Sequence, residues 1–266
     1  TMFIAMLSHP DFEKTDFSSM RTGIMAGSPC PIKVMEEVIN KMHMDEICIT
    51  YGQTEASPGC TMSKTTDSIE DRVNTVGGAM YGVECKIVDP ETGEDLPDNT
   101  DGEFVARGYN IMKGYYKMPQ ATAAAIDKDG WLHTGDLARR NEKGYYKITG
   151  RIKDMIIRGG ENIYPKEIED FIYTNEKVSD VQVIGVPDKQ YGEEIMACVI
   201  KKDDSLTEEE LHDYIAANMA KHKVPRYIVF IDEFPMNAAG KILKYKMREN
   251  AVELLGLQDA ENIVTA

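Results

Sequence analysis

The chain has 266 residues, is 42% hydrophobic and 28% charged, and carries a formal net charge of −15. That composition is ordinary for a soluble protein, and the length allows one or two cored domains. The acidity argues against a nucleic-acid partner, whose phosphates favour basic surfaces, but leaves room for a small anionic ligand at a locally positive site.

The five cysteines, Cys30, Cys48, Cys60, Cys85 and Cys198, show no C-x-x-C spacing. Neither a zinc site nor a disulfide framework is expected, and a reducing, cytoplasmic setting fits. No apolar run approaches the roughly 20 residues of a membrane span, and no signal peptide is visible. The chain opens on Thr1 with residues 1–7 already apolar, as expected of a piece of a longer protein.

In chain order, A-G-S-P (26–29) comes first. Gly27 and Ser28 are small enough to let backbone approach a flat ligand, although a simple turn reads the same way. Residues 31–44 place Ile32, Met35, Val38, Ile39 and Met42 at helical spacing. A buried strand follows at 46–50 and runs into Y-G-Q-T-E, which is Tyr51, Gly52, Gln53, Thr54 and Glu55. Helix, strand and polar loop is α/β grammar, and in open α/β sheets ligands bind beyond the strand ends. The loop offers an aromatic face, a hydroxyl and a carboxylate able to hold Mg2+ with water as its other ligands. Its bland alternative is a loop with a helix cap at Thr54. The Ser/Thr/Gly-rich segment 57–68 lacks G-x-x-x-x-G-K-[ST] and reads as an ordinary polar loop.

From about 76 to 150, short β runs alternate with glycine-bearing turns, which predicts a small, barrel-like β region. It contains W-L-H-T-G-D (131–136), where an aspartate in a tight turn, Asp136, could accept both hydroxyls of a ribose or merely close an Asx turn. G-R-I-K-D (150–154) follows, with Arg151 and Lys153 at the expected domain boundary; a solvated linker is the alternative. Beyond it, Gly159-Gly160 closes a predicted hairpin that leads into Glu161. A helix is expected over 165–175, and strands over 180–186, 194–201 and 227–232. A capping box, Thr207 with Glu210, opens another helix. The fold class expected is therefore α/β for 1–75 and β-rich for 76–150, followed by a compact α+β domain over 151–266. N-A-A-G-K (237–241) lies near the end, with Gly240 freeing the backbone and Lys241 beside it; most such lysines are solvated surface charges.

Any one of these patches is weak, but their order is specific. Y-G-Q-T-E, G-E-F-V-A-R-G-Y, W-L-H-T-G-D, G-R-I-K-D-M-I-I-R-G-G-E-N-I-Y-P-K-E-I-E, V-I-G-V-P-D and G-K-I-L-K together resemble the adenylate-forming superfamily. The resemblance covers nearly the whole chain. The opening T-M-F-I-A-M-L-S-H-P-D-F with R-T-G-I-M-A-G-S-P-C-P looks most like fatty-acid CoA ligases of the medium-chain kind.

The resemblance implies an AMP-forming acyl-CoA synthetase that uses ATP, Mg2+ and coenzyme A on a carboxylic acid. A carboxylate attacks the α-phosphate of ATP, and the thiol of coenzyme A then displaces AMP. It also implies roles. Gly27, Ser28 and Tyr51, with Gly52 and Gln53 beside them, frame the adenine; Thr54 touches phosphate; Glu55 holds Mg2+. Asp136 binds the ribose hydroxyls with Arg151 in support, and Lys153 is the hinge of a small mobile lid domain. Gly159, Gly160 and Glu161 line the thiol's approach, and Lys241 is the adenylation lysine, whose ammonium stabilises the charge that develops during attack. The family's phosphate loop lies upstream of everything matched, so the resemblance implies the C-terminal half of such an enzyme, incomplete and inactive alone. It leaves room for a homodimer. Three rivals stay open: a ligase for an aromatic or branched acid, a non-catalytic nucleotide- or CoA-binding module, and a carrier-protein-dependent adenylation domain.

Overall fold

The computed structural model describes residues 2–27, 32–237 and 241–260. The chain divides into two compact units, Thr1–Ile148 and Thr149–Ala266.

In the first unit, helix α1 (Met2–Leu7) precedes strand β1 (Thr22–Met25), helix α2 (Ile32–Met42) and strand β2 (Glu46–Tyr51). The spacing read from the sequence explains α2. Met35, Val38 and Met42 are fully buried, and they pack with Met25, Ile47 and Ile49 of the strands. β1 and β2 run parallel, Met25 opposite Ile49, with α2 as the crossover that parallel neighbours require. The polar segment 57–68 contributes β3 (Thr61–Met62) and the cap of α3 (Ile69–Asn74), where Ser68 accepts the Asp71 N–H. β4 (Gly78–Ala79) completes a sheet ordered β1-β2-β3-β4.

The β-rich part follows, with β5 (Val83–Val88), β6 (Gly102–Gly108), helix α4 (Pro119–Ala125), β7 (Leu132–Arg140) and β8 (Tyr146–Arg151). These strands form an open row, β5-β6-β7-β8. The region is β-rich as expected but is not closed into a barrel. Phe104, on β6, is its centre, with Tyr51 and Tyr146 edge-on at 5.0 and 5.1 Å.

The second unit begins with the hairpin read from Gly159-Gly160. β9 (Ile156–Arg158) and β10 (Glu161–Ile163) pair Arg158 opposite Glu161. Both glycines have positive φ, 59° and 85°, the requirement of a type I′ two-residue loop. Helix α5 (Pro165–Ile172) is followed by β11 (Val178–Asp188), β12 (Gly192–Lys201), α6 (Glu208–Ala216), β13 (Tyr227–Phe230) and α7 (Lys244–Leu255). The expected ends at 175 and 232 shorten to 172 and 230. β12 is the hub: it pairs with β11 and β9 antiparallel and with β13 parallel. The predicted capping box forms on α6, where Thr207 Oγ1 accepts the Glu210 N–H. The core is aliphatic, with Ile156, Ile168, Ile172, Val183, Ile195 and Leu211 all fully buried.

Candidate active site

Of the expected site residues of the first unit, Tyr51 ends β2 and Gly27 follows β1. β1 and β2 are parallel neighbours with Met25 opposite Ile49, and Gly27 and Tyr51 each come two residues after that pair. Gly27 has φ 85°, and a Cβ there would meet nothing within 4 Å. Ser28 lies outside the described residues.

Beyond Tyr51 the chain turns sharply. A Cβ on Gly52 would lie 1.9 Å from the Pro58 carbonyl oxygen, so only glycine lets the returning backbone pass. Thr54–Ala56 form a single 3-10 turn. Its N-cap position is Gln53, with no side-chain cap, so the alternative reading of Thr54 as a helix cap does not hold, and Thr54 is exposed.

The W-L-H-T-G-D aspartate is not in a turn between strands. Glu103 pairs with Leu137 and Val105 with His133, so the register of β7 against β6 slips there. Asp136 therefore sits on a β-bulge inside β7, with Gly135 at φ 69° supplying the left-handed residue. Tyr51 Oη donates to Asp136 Oδ2 at 2.7 Å. This one bond joins the residues read as adenine platform and ribose acceptor, 85 positions apart. Asp136 is buried. Burial first, then the neighbouring Asp136 carboxylate, pushes the Tyr51 hydroxyl far above the ordinary tyrosine range, so it stays a donor.

Sequence reading missed Glu103. This buried carboxylate accepts the Gly135 N–H at 3.0 Å through Oε1 and contacts His133 Nδ1 at 2.8 Å through Oε2. His133 is thus tied to the bulge, with Asp127 on its other ring nitrogen at 3.7 Å. The only sequence signal was an acidic residue inside the apolar run G-E-F-V-A.

Glu55 is half-buried. It receives a hydrogen bond from Tyr115 Oη at 2.8 Å on Oε1, and its backbone carbonyl accepts the Met112 N–H at 2.8 Å. The bond from Glu55 and then burial raise the Tyr115 hydroxyl pKa. Among the described residues no group of three or more His, Cys, Asp or Glu side chains could form a metal cage. A lone carboxylate suits Mg2+, which keeps several waters and substrate phosphates as ligands.

In the second unit, Arg151 ends β8 and Lys153 lies in the short 3-10 turn Ile152–Asp154. Both side chains are exposed. The Lys153 carbonyl accepts from Arg248 Nη2 at 3.5 Å. Gly159, Gly160 and Glu161 are exposed at the hairpin tip, steadied by Gly159 N–H to the Tyr191 carbonyl at 2.8 Å.

Lys241 lies on a tied loop. Asn237 N–H donates to the Lys241 carbonyl and Asn237 Oδ1 accepts the Lys241 N–H, both at 2.9 Å. Its side chain is exposed, and its ammonium makes no ion pair among the described residues. Three residues on, Lys244 is the opposite. Its ammonium is buried against Glu169 Oε1 at 2.7 Å and the Val183 carbonyl at 3.1 Å. The first unit offers a hydroxyl–carboxylate pair and a lone carboxylate; the second offers an exposed glycine tip and, at Lys241, an exposed ammonium with no ion pair among the described residues.

The first unit thus has α/β character, with parallel strands joined by a helix and a buried aspartate bonded to the tyrosine that ends one of them. The chain belongs to the AMP-binding enzyme family: the family profile matches residues 1–116, and the profile of its C-terminal domain matches residues 167–241. It is 54% identical over 262 residues, 98% of its length, to YngI of Bacillus subtilis, whose name assigns that protein provisionally to the acyl-CoA synthetases. It is 46% identical over 97% of its length to the mitochondrial medium-chain acyl-CoA ligase ACSF2 of Bos taurus. Its fold is similar to that of ATP-bound MatB from Rhodopseudomonas palustris, with a TM-score of 0.85 and 34% identity over 95% of this chain and 50% of that one. The chain spans about half the length of the curated relatives it matches, 48% and 42% for the two named.

Proposed function

We propose that this chain carries the nucleotide- and thiol-handling half of an AMP-forming acyl-CoA synthetase acting on a carboxylic acid of medium chain length. The observation that carries the reading is the Tyr51–Asp136 bond, which joins an aromatic face to a buried acceptor for two vicinal hydroxyls. The chain length of the acid follows the name of ACSF2, at 46% identity. The free thiols of Cys48, Cys60, Cys85 and Cys198 support a reducing, cytoplasmic setting. No helix among the described residues is long and apolar enough to cross a membrane.

In the first half-reaction a carboxylate oxygen bonds to the α-phosphorus of ATP, the bond to the bridging oxygen breaks and pyrophosphate leaves. Gly27, Ser28 and Tyr51 frame the adenine, with Gly52 and Gln53 shaping the turn, while Asp136 and Arg151 hold the ribose. Thr54 donates to phosphate, and Glu55 would hold Mg2+, which when bound would supply neutralisation of phosphate charge. Lys241 supplies an ammonium where negative charge accumulates. In the second half-reaction the coenzyme A sulfur bonds to the acyl carbon and AMP leaves with the electron pair of the broken C–O bond. The Gly159-Gly160 tip, with Glu161, exposes backbone to the incoming thiol, and Lys153 is the hinge residue.

The test uses the full-length protein containing this chain. ATP–pyrophosphate exchange with a panel of straight, branched and aromatic acids should be fastest with medium straight chains. Lys241→Ala should lower exchange by roughly 100- to 1,000-fold while thioester formation from supplied acyl-adenylate survives. Equal loss of both half-reactions would sink the role of Lys241, and exchange without acid dependence would sink the reading.

A further inference from the structure

The β6–β7 ladder breaks where Asp136 sits. Glu103 faces Leu137 and Val105 faces His133, so Phe104 alone stands opposite Thr134, Gly135 and Asp136. The surplus residues carry backbone groups that the ladder cannot pair, and buried backbone groups need partners. Side chains supply them. Thr134 Oγ1 donates to the Phe104 carbonyl at 2.5 Å and accepts the Asp136 N–H at 3.2 Å. Glu103, with a side chain only 9% exposed, accepts the Gly135 N–H on Oε1 at 3.0 Å and holds His133 Nδ1 on Oε2 at 2.8 Å. One buried carboxylate thus grips the residue before Thr134 and the residue before Asp136. Gly135 does not fix the chain by itself. It stands at φ 69° with nothing within 4 Å of where a Cβ would lie, and glycine is the residue with the widest choice of conformations.

We infer that Glu103, clamped by His133, is a positioning residue for ribose recognition, aiming the Asp136 carboxylate by fixing the Gly135 peptide. The inference rests on the ribose role proposed for Asp136. Tyr51 Oη sets where one carboxylate oxygen ends, at 2.7 Å from Oδ2; Glu103 sets where the backbone beneath it begins. Two vicinal hydroxyls need both oxygens of one carboxylate in a fixed orientation, because hydrogen bonds weaken steeply once they bend. Preference for a ribonucleotide over a deoxyribonucleotide is then set by a residue that acts through Asp136 and gives no atom to the sugar.

The test compares AMP with 2′-deoxy-AMP binding to the full-length protein by isothermal titration calorimetry. The unaltered protein should prefer AMP by about 10- to 100-fold, the worth of one hydrogen bond to a charged group. Glu103→Met removes both contacts of the carboxylate, and the preference should fall to within about threefold of unity as that hydrogen bond is lost. A merely structural role would weaken both nucleotides alike and leave their ratio where it was. Glu103→Gln keeps an oxygen for the Gly135 N–H and an amide N–H for a neutral His133, and should keep the preference. Its equal loss there would place the effect in the charge rather than in the held peptide, and would overturn the inference. Should Glu103→Met not fold, Glu103→Asp carries the same prediction, since a side chain one methylene shorter cannot reach Gly135 and His133 together. Asp136→Ala separates the two levels of argument. If it leaves the preference unchanged, the ribose role of Asp136 falls and this inference falls with it. If Asp136→Ala abolishes the preference while Glu103→Met keeps it, only the role of Glu103 is overturned.

Discussion

Lys244→Met should destabilise the second unit far more than a lysine near the end of an acidic chain would suggest. Lys244 opens α7, and its side chain is 17% exposed; its partner Glu169, on α5, is 8% exposed. Glu169 Oε1 also accepts the Val183 N–H at 2.9 Å, and Lys244 donates to the Val183 carbonyl. One pair thus ties α5, β11 and α7 together. Deleting the ammonium strands a buried carboxylate, which costs about 3–5 kcal/mol; the partial exposure of Lys244 favours the lower end. At roughly 4 °C per kcal/mol for a unit of this size, the melting transition should fall by about 12 °C. Differential scanning calorimetry of the chain reads this directly, as the displacement of one of two transitions. Glu169→Gln with Lys244→Met removes both charges while Gln still accepts from Val183 N–H, and should recover to within about 1 kcal/mol of the unaltered chain, since neutral replacement of a buried pair is often nearly free of cost. Equal destabilisation of the single and double variants would refute the reasoning, because the loss would then come from packing rather than from a stranded charge.

Gly52→Ala should displace the loop before Glu55, because its Cβ meets the Pro58 carbonyl oxygen at 1.9 Å. Overpacking of this kind costs about 1–3 kcal/mol, and equilibrium dialysis of the full-length protein should show nucleotide affinity lost well beyond that modest drop in stability. The chain should also lose stability in alkali. Burial pushes the Cys60 and Cys198 thiols up to about 11 and Cys85 up to about 12. Burial pushes Tyr146 up to about 12, and burial followed by Asp136 takes Tyr51 higher still. Raised folded pKa values mean that these groups stabilise the fold fully below their unfolded values, about 9 for thiols and 10 for tyrosines. That stability is lost as pH rises through the folded values, because the unfolded chain releases protons first. Urea midpoints should therefore be flat from pH 7 to 8.5 and fall from pH 9 to 11, with Tyr51→Phe reducing the slope above pH 10; a flat midpoint up to pH 11 would contradict the burial of these groups.

What was legible in the sequence was what short-range physics dictates. The α2 spacing, the Gly159-Gly160 hairpin and the Thr207 cap each depend on residues within a few positions of one another, and each stands where it was expected. The bulge that carries Asp136 was not legible, because its extra residues exist only relative to β6; in the sequence it looks like a turn. Glu103 and Tyr115 were missed for the same reason. Their partners lie 32 and 60 positions away, and no periodicity marks them. Helix α7 was hidden by the lysines of K-I-L-K-Y-K and by a narrow buried stripe of Met247, Ala251 and Val252.

The two lysines of G-K-I-L-K show why a motif alone does not assign roles. Spacing makes Lys241 and Lys244 equally plausible as an active ammonium. Environment separates them. A charge that must stabilise a developing oxyanion should not already be neutralised, because an existing partner would have to be given up at the moment of reaction. Lys244 is committed to Glu169 and the Val183 carbonyl, and moving it would strand a buried carboxylate. Lys241 holds nothing with its side chain among the described residues, while its backbone is pinned at both N–H and carbonyl by Asn237. A backbone held by Asn237 beneath an ammonium with no ion pair among the described residues is what the role proposed for Lys241 requires.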